Sequence, residues 1–249
     1  MATDAMRQQV GRLERPKDPA WDRIFFTGMV FLLWATVLFG FAKTYFLAGM
    51  VTAPLPNALI HVHGAVFTLW MVLLATQVGL VSAKKLKWHK QLGLAGFGLA
   101  VLMLVLGLMA ATDSMRRGGD GGSGLGAKTF YVIPVTGIIA FSILVYLAYR
   151  WRTKPAVHKR LILIATIGIS EAAIARWPVA ILQVQPQLRL VIILAFLLMV
   201  VAYDLVSLKR VHKATIWASA FVMFVMLVRI PFAMSPPWQA FATLMGGKS

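Results

Sequence analysis

Two histidines, His61 and His63, stand one residue apart inside an apolar run and are followed at once by Gly64. Imidazole suits iron, copper and zinc, and it exchanges protons near neutral pH. An ionisable group at membrane depth is costly, so each one is a candidate for function. The same reasoning picks out Glu171, Arg176 and Arg229 within apolar runs, with Lys43, Tyr45 and Asp113 at run ends. Counting along the runs brings these groups to one face of a bundle. Asp204, beside Tyr203, falls toward the other face.

Three kinds of chemistry follow from these residue types. His61, His63 and Glu171 could share a metal ion, or one histidine could hold a haem. Glu171 and His63 could act as general base and acid. Arg176 and Arg229 suit an anionic group such as a propionate, carboxylate or phosphate. Lys43, Tyr45, His61, Trp70 and Gln77 would line the same ligand. In a regular helix His61 and His63 lie about 200° apart, so they cannot both grip one ion unless the helix begins irregularly. His63 shares a face with Phe67, Trp70, Leu74 and Gln77, whereas His61 shares one with Gly64, Ala65 and Thr68. The structural alternative is an ion pair. Arg176 lies about 140° around a helix from Glu171, so Glu171 is expected to pair across helices with Arg229.

The elements that must position these groups are membrane spans. The 249 residues are 59% hydrophobic and 13% charged, with mean hydropathy +0.78, and several runs exceed the length a bilayer requires. The expected fold is an all-α integral membrane protein with seven transmembrane helices, near 24–47, 58–82, 91–112, 129–149, 160–183, 188–208 and 214–235. A polar tail at 1–23 precedes them and a tail at 236–249 follows. No small-residue cleavage site follows the first run, so no removable signal peptide is expected. With no cysteine, thiolate metal sites and disulfides are excluded.

Charge sets the expected orientation. The formal net charge is +17, but the cations crowd into short connections: Lys84, Lys85, Lys87 and Lys90; Arg150, Arg152, Lys154, Lys159 and Arg160; Lys209, Arg210 and Lys213. The positive-inside rule then puts the N-terminus in the cytoplasm and the C-terminus outside. Anionic headgroups at the cytoplasmic face are the expected partners, with other subunits of a membrane complex as a further option and nucleic acid excluded. The connection at 113–128 is rich in glycine and lacks the strand and GK[ST] closure of a phosphate loop, so it is expected to be a mobile linker. Three cytoplasmic turns each place His-Lys before a span, at His89, His158 and His212. Headgroup contacts and helix N-terminal roles account for them. The chain contains no HExxH and no G-x-S-x-G, and the seventh run holds no lysine for a retinal Schiff base.

His61-x-His63-Gly64, then Trp70, Gln77 and His89-Lys90-x-Leu92-Gly93, resembles a core shared by uncharacterised multi-pass membrane proteins of bacteria. His158-Lys159-Arg160-Leu161 and Ala175-Arg176-Trp177-Pro178 are similar to the same group. The resemblance implies a bacterial inner (cytoplasmic) membrane and transfers no activity. Three functions are therefore carried forward. One is a metal, haem or anionic ligand in a polar pocket of the exoplasmic half, serving redox or lipid-phase chemistry. The second is a proton-coupled small-solute transporter using Asp204, Glu171 and the histidines. The third is an accessory subunit of a membrane complex.

Overall fold

The computed structural model describes residues 19–47 and 57–246, and among these it is helical throughout, with no strand. Helix α1, Pro19–Phe41, runs into a π-helical turn at Ala42–Phe46. Helix α2, Ala58–Ser82, starts at Asn57, whose side chain accepts the Ile60 N–H at 3.0 Å and so caps an orphan donor. Helix α3, Leu86–Arg116, is longer at both ends than the 91–112 run suggests. A short α4, Ala127–Phe130, leads into α5, Val132–Arg150. Helix α6, Pro155–Ile169, opens with proline, which suits a first turn that needs no N–H there. Helices α9, Leu188–Leu208, and α10, Lys213–Ala233, form the last hairpin, and α11, Pro236–Gly246, closes the chain.

Among the described residues six helical segments are long and apolar enough to cross a membrane: Ala20–Phe46, Ala58–Ser82, Leu86–Arg116, Ala127–Arg150, Leu188–Leu208 and Lys213–Ala233. The expected fifth helix at 160–183 is not continuous. It ends at Ile169 and is followed by two single-turn pieces, α7 (Glu171–Ile174) and α8 (Ala180–Val184). Pro178 has no N–H to donate and disfavours helix at the residue before it. Ser170 turns its hydroxyl back onto the Ile167 carbonyl at 2.7 Å.

The broken segment is nevertheless tied into the bundle. Trp177 donates its indole N–H to the Thr36 carbonyl of α1 at 3.2 Å. Gly40 of α1 lies so close to α7 that a Cβ there would sit 2.1 Å from the Ala173 carbonyl oxygen. Only glycine permits that approach.

The core lies between the middles of the helices, where Leu33, Met103, Leu144, Leu161, Ile164, Ile193 and Val200 are shut off from solvent. Large apolar side chains also face outward, including Phe31 at 69%, Val101 at 63% and Phe224 at 61% exposure. An apolar exterior around an apolar core is the arrangement a lipid solvent favours.

The C-terminal stretch expected as a tail instead forms α11, packed over α3 and α4. Trp238 is buried there and donates to the Lys128 carbonyl at 2.9 Å, while Arg116 donates to the Met245 carbonyl at 3.0 Å. The glycine-rich connection expected to be a mobile linker has an organised turn. Asp120 accepts N–H groups from Gly122 and Gly124, and both glycines are at positive φ.

Candidate functional site

Ion pairs mark the two ends of the bundle. At one end Asp22 of α1 bonds Lys159 of α6 and the Tyr203 hydroxyl of α9. Beside it Arg160 and Asp204 are 1% and 0% exposed. Arg160 donates Nε (3.0 Å) and a terminal nitrogen to the Asp204 carboxylate. Asp204 also accepts the Thr215 hydroxyl and the backbone N–H of His212 at 3.0 Å. Every lone pair of Asp204 thus has a donor, which is the condition for keeping a buried pair charged. Here the starts of α1, α6 and α10 meet the end of α9.

At the opposite end Arg229 of α10 and Glu171, the first residue of α7, form a bidentate pair, with one contact of 2.7 Å. This is the cross-helix pair expected from the angle between Glu171 and Arg176. Both carboxylate oxygens are engaged by the one guanidinium.

The two histidines of the opening motif face different surroundings. Tyr45, on the π-helical turn, donates its hydroxyl to the His61 carbonyl at 3.0 Å, and its ring fills the space above Gly64. A Cβ on Gly64 would come within 2.6 Å of that ring. His63 instead stacks on Phe67 with centroids 4.1 Å apart, and its Nδ1 is buried without a hydrogen-bond partner. Among the described residues no three His, Asp or Glu side chains gather as a metal-binding group, so His61, His63 and Glu171 do not form one donor set. Lys43 is exposed on the π-helical turn. Trp70 is a core residue that donates to the Thr166 hydroxyl at 3.3 Å, across to α6.

Gln77 belongs to the other end. In the amide orientation that satisfies both groups, it donates to His89 Nδ1 and the His89 carbonyl and accepts the Gly93 N–H at 2.8 Å. The side chain thus reaches across from α2 to the backbone of α3. His89 then faces His158 across α3 and α6 with ring centroids 6.5 Å apart, and His158 Nδ1 lies 2.9 Å from the Ala148 carbonyl. His212 has the expected helix N-terminal role, its Nδ1 accepting the Ala214 N–H at 3.0 Å.

Arg176 and Arg189 stand apart from all these pairs. Arg176 is exposed, donates one N–H to the Ala172 carbonyl at 2.7 Å and lies over the Phe41 ring at 4.9 Å. Arg189, in the first turn of α9, is only 7% exposed. It donates to the Leu182 carbonyl at 3.2 Å, and its Nε is buried with no partner. Arg176 follows the short α7 (Glu171–Ile174) and Arg189 lies in the first turn of α9, so the two flank the broken segment.

Neither arginine has a carboxylate partner among the described residues. Asp113 is taken by Arg117 and Asn57, Asp120 by backbone N–H groups, and Glu171 by Arg229. Asp22 and Asp204 lie at the far end. The three remaining acids, Asp4, Glu14 and Asp18, precede Asp22 in sequence. Residues 48–56 and 247–249 contain no Asp or Glu. Sequence reasoning missed Arg189 because it begins an apolar run and reads as a flanking cation. The scarcity of acids in the sequence beside its many cations is the available signal.

No protein-family model matches this chain, and no curated protein or solved structure matches it.

Proposed function

We propose that this is a seven-pass protein of a bacterial inner membrane, with its N-terminus in the cytoplasm, that binds an anionic ligand at its exoplasmic end. One observation carries the reading: the Arg189 guanidinium is buried, its Nε has no hydrogen-bond partner, and among the described residues no carboxylate pairs with it or with Arg176. A charge removed from water without a counter-charge costs several kcal/mol, and a guanidinium keeps its proton in proteins. A bound anion removes that cost. Arg176 and Arg189 would supply the charge-assisted contacts. His63 would offer its unpartnered ring nitrogen to the same ligand.

This is the anionic-ligand branch of the pocket expected from sequence, with Arg189 in place of Arg229. The metal branch draws no support from the donor positions. The proton-relay reading draws less support, because Asp204 has a donor for every lone pair and Glu171 is held by Arg229.

The test is binding of phosphate, sulfate and a dicarboxylate to the detergent-purified protein at matched ionic strength, read by indole fluorescence, since Trp177 adjoins Arg176 in the chain. Binding is expected to weaken at least about tenfold in Arg176→Gln, the loss of one charge-assisted contact. A wild-type protein indifferent to every anion, lipid-borne ones included, and unaltered by Arg176→Gln would overturn the proposal.

A further inference from the structure

We infer that the anion is the phosphate of a membrane lipid, taken laterally from the outer leaflet at the break between α7 and α9; this rests on the anion-binding reading above. Three features of the break point to an amphiphile rather than a soluble ion.

The first is depth. Helix α9 has 21 residues, about 31 Å at 1.5 Å per residue, which matches a hydrocarbon core of about 30 Å. Its first turn, with Arg189, therefore falls at the layer where lipid phosphates lie. The second is the chemistry of the segment between the two arginines. It exposes Val179 at 37%, Ile181 at 53% and Val184 at 79%, and Val191 follows on α9 at 57%. A soluble anion has no use for that surface, whereas an acyl chain would cover it. The third is donor supply. The N–H groups of Leu188, Arg189 and Leu190 are already bonded to Gln185, Pro186 and Gln187 carbonyls. The helix start therefore has no free amides there for the ligand, and the guanidinium groups must hold it. Each has five N–H donors in a planar fork that fits phosphate oxygens. One is committed on Arg176 and one on Arg189.

The cation at the rim and the one behind it divide the work. Arg176 is exposed and stacked on Phe41, so it is placed to meet the headgroup first. Arg189 is buried and held by Leu182, so it is placed to fix the phosphate once water has been displaced.

The full-length protein, stripped of lipid in detergent, tests this with three probes: inorganic phosphate, a short-chain phosphatidic acid and the matching diacylglycerol. Thermal unfolding reports binding, because a ligand that binds the folded state raises the midpoint. Phosphatidic acid is expected to raise it at concentrations where inorganic phosphate and diacylglycerol do not. Arg176→Gln and Arg189→Gln should each remove the shift. Should Arg189→Gln fail to fold, Arg176→Gln suffices, since that side chain is exposed. Val184→Asn, also at an exposed position, should weaken the response to phosphatidic acid and leave any response to inorganic phosphate alone. If inorganic phosphate works as well as the lipid and Val184→Asn changes nothing, the lipid inference falls and the anion site stands. If neither phosphate probe shifts the midpoint, the lipid inference falls, and the anion site stands only if sulfate or the dicarboxylate binds.

Discussion

At the scale of single residues, Asp204 and Glu171 look alike in sequence and prove alike in structure: each is the acid of a buried pair. Substituting Asp204→Asn leaves Arg160 charged and shut off from water. Unfolding in detergent should then be easier by roughly 3–5 kcal/mol, with Glu171→Gln at or below the low end because that pair is less enclosed. Replacing both partners, Arg160→Met with Asp204→Leu, should recover most of the loss, since an apolar pair of similar volume pays no desolvation. An unfolding free energy unchanged in Asp204→Asn would show that the pair does not hold the helices together. Glu171 with Arg229 was legible in the chain because helical angles ruled out the nearer arginine. Arg160 was not, because it follows Lys159 in a cationic turn and counts there as one more loop charge. His63 and Arg176 were picked out as polar groups at depth. Arg189 was passed over for the same reason as Arg160.

At the scale of elements, hydropathy locates spans but cannot tell a straight helix from a broken one. Residues 160–183 read as one apolar run, and only Ser170 and Pro178 hint at the interruption. What holds the break in place is a contact invisible to periodicity, the approach of Gly40 to Ala173. Gly28, on the same helix, has open space where its Cβ would be, so the two glycines form a matched test. Gly40→Ala should destabilise by about 1–3 kcal/mol through overpacking against a backbone that cannot retreat. Gly28→Ala should be neutral or slightly stabilising, because alanine is the better helix former. Loosening of the break can be read directly. A cysteine introduced at Leu182, buried in this segment, should react faster with a maleimide in the Gly40→Ala background than in the parent. Equal rates would separate Gly40 from the break. Helix α11 escaped notice for a related reason. It is short, its burial rests on Trp238 and Ala242, and its partners lie more than a hundred residues away in sequence.

At the scale of the whole molecule, the proposed seven crossings have to accommodate six long apolar helices and one broken segment among the described residues, and the ion pairs bear on how. Arg160 at the start of α6 bonds Asp204 near the end of α9, whereas Glu171, a few turns later, bonds Arg229 near the end of α10. If the broken segment folded back to the face it came from, α9 would start at that face and Asp204 would lie at the opposite end from Arg160. The pair argues against that and supports the proposal that the chain between Pro155 and Leu188 traverses the bundle. In the proposed orientation Ser82 and Thr153 lie in the cytoplasm and Ser123 and Gln185 outside. The chain has no cysteine, so single cysteines at these four positions report without background. In intact cells a membrane-impermeant maleimide should label Ser123→Cys and Gln185→Cys, and it should reach Ser82→Cys and Thr153→Cys only after permeabilisation. Labelling of Gln185→Cys together with Thr153→Cys would mean that the segment does not cross. The turn at Lys209, Arg210 and Lys213 would then face outward, and the site at Arg176 and Arg189 would move to the cytoplasmic leaflet. The same four variants therefore test the fold and say from which leaflet the lipid would come.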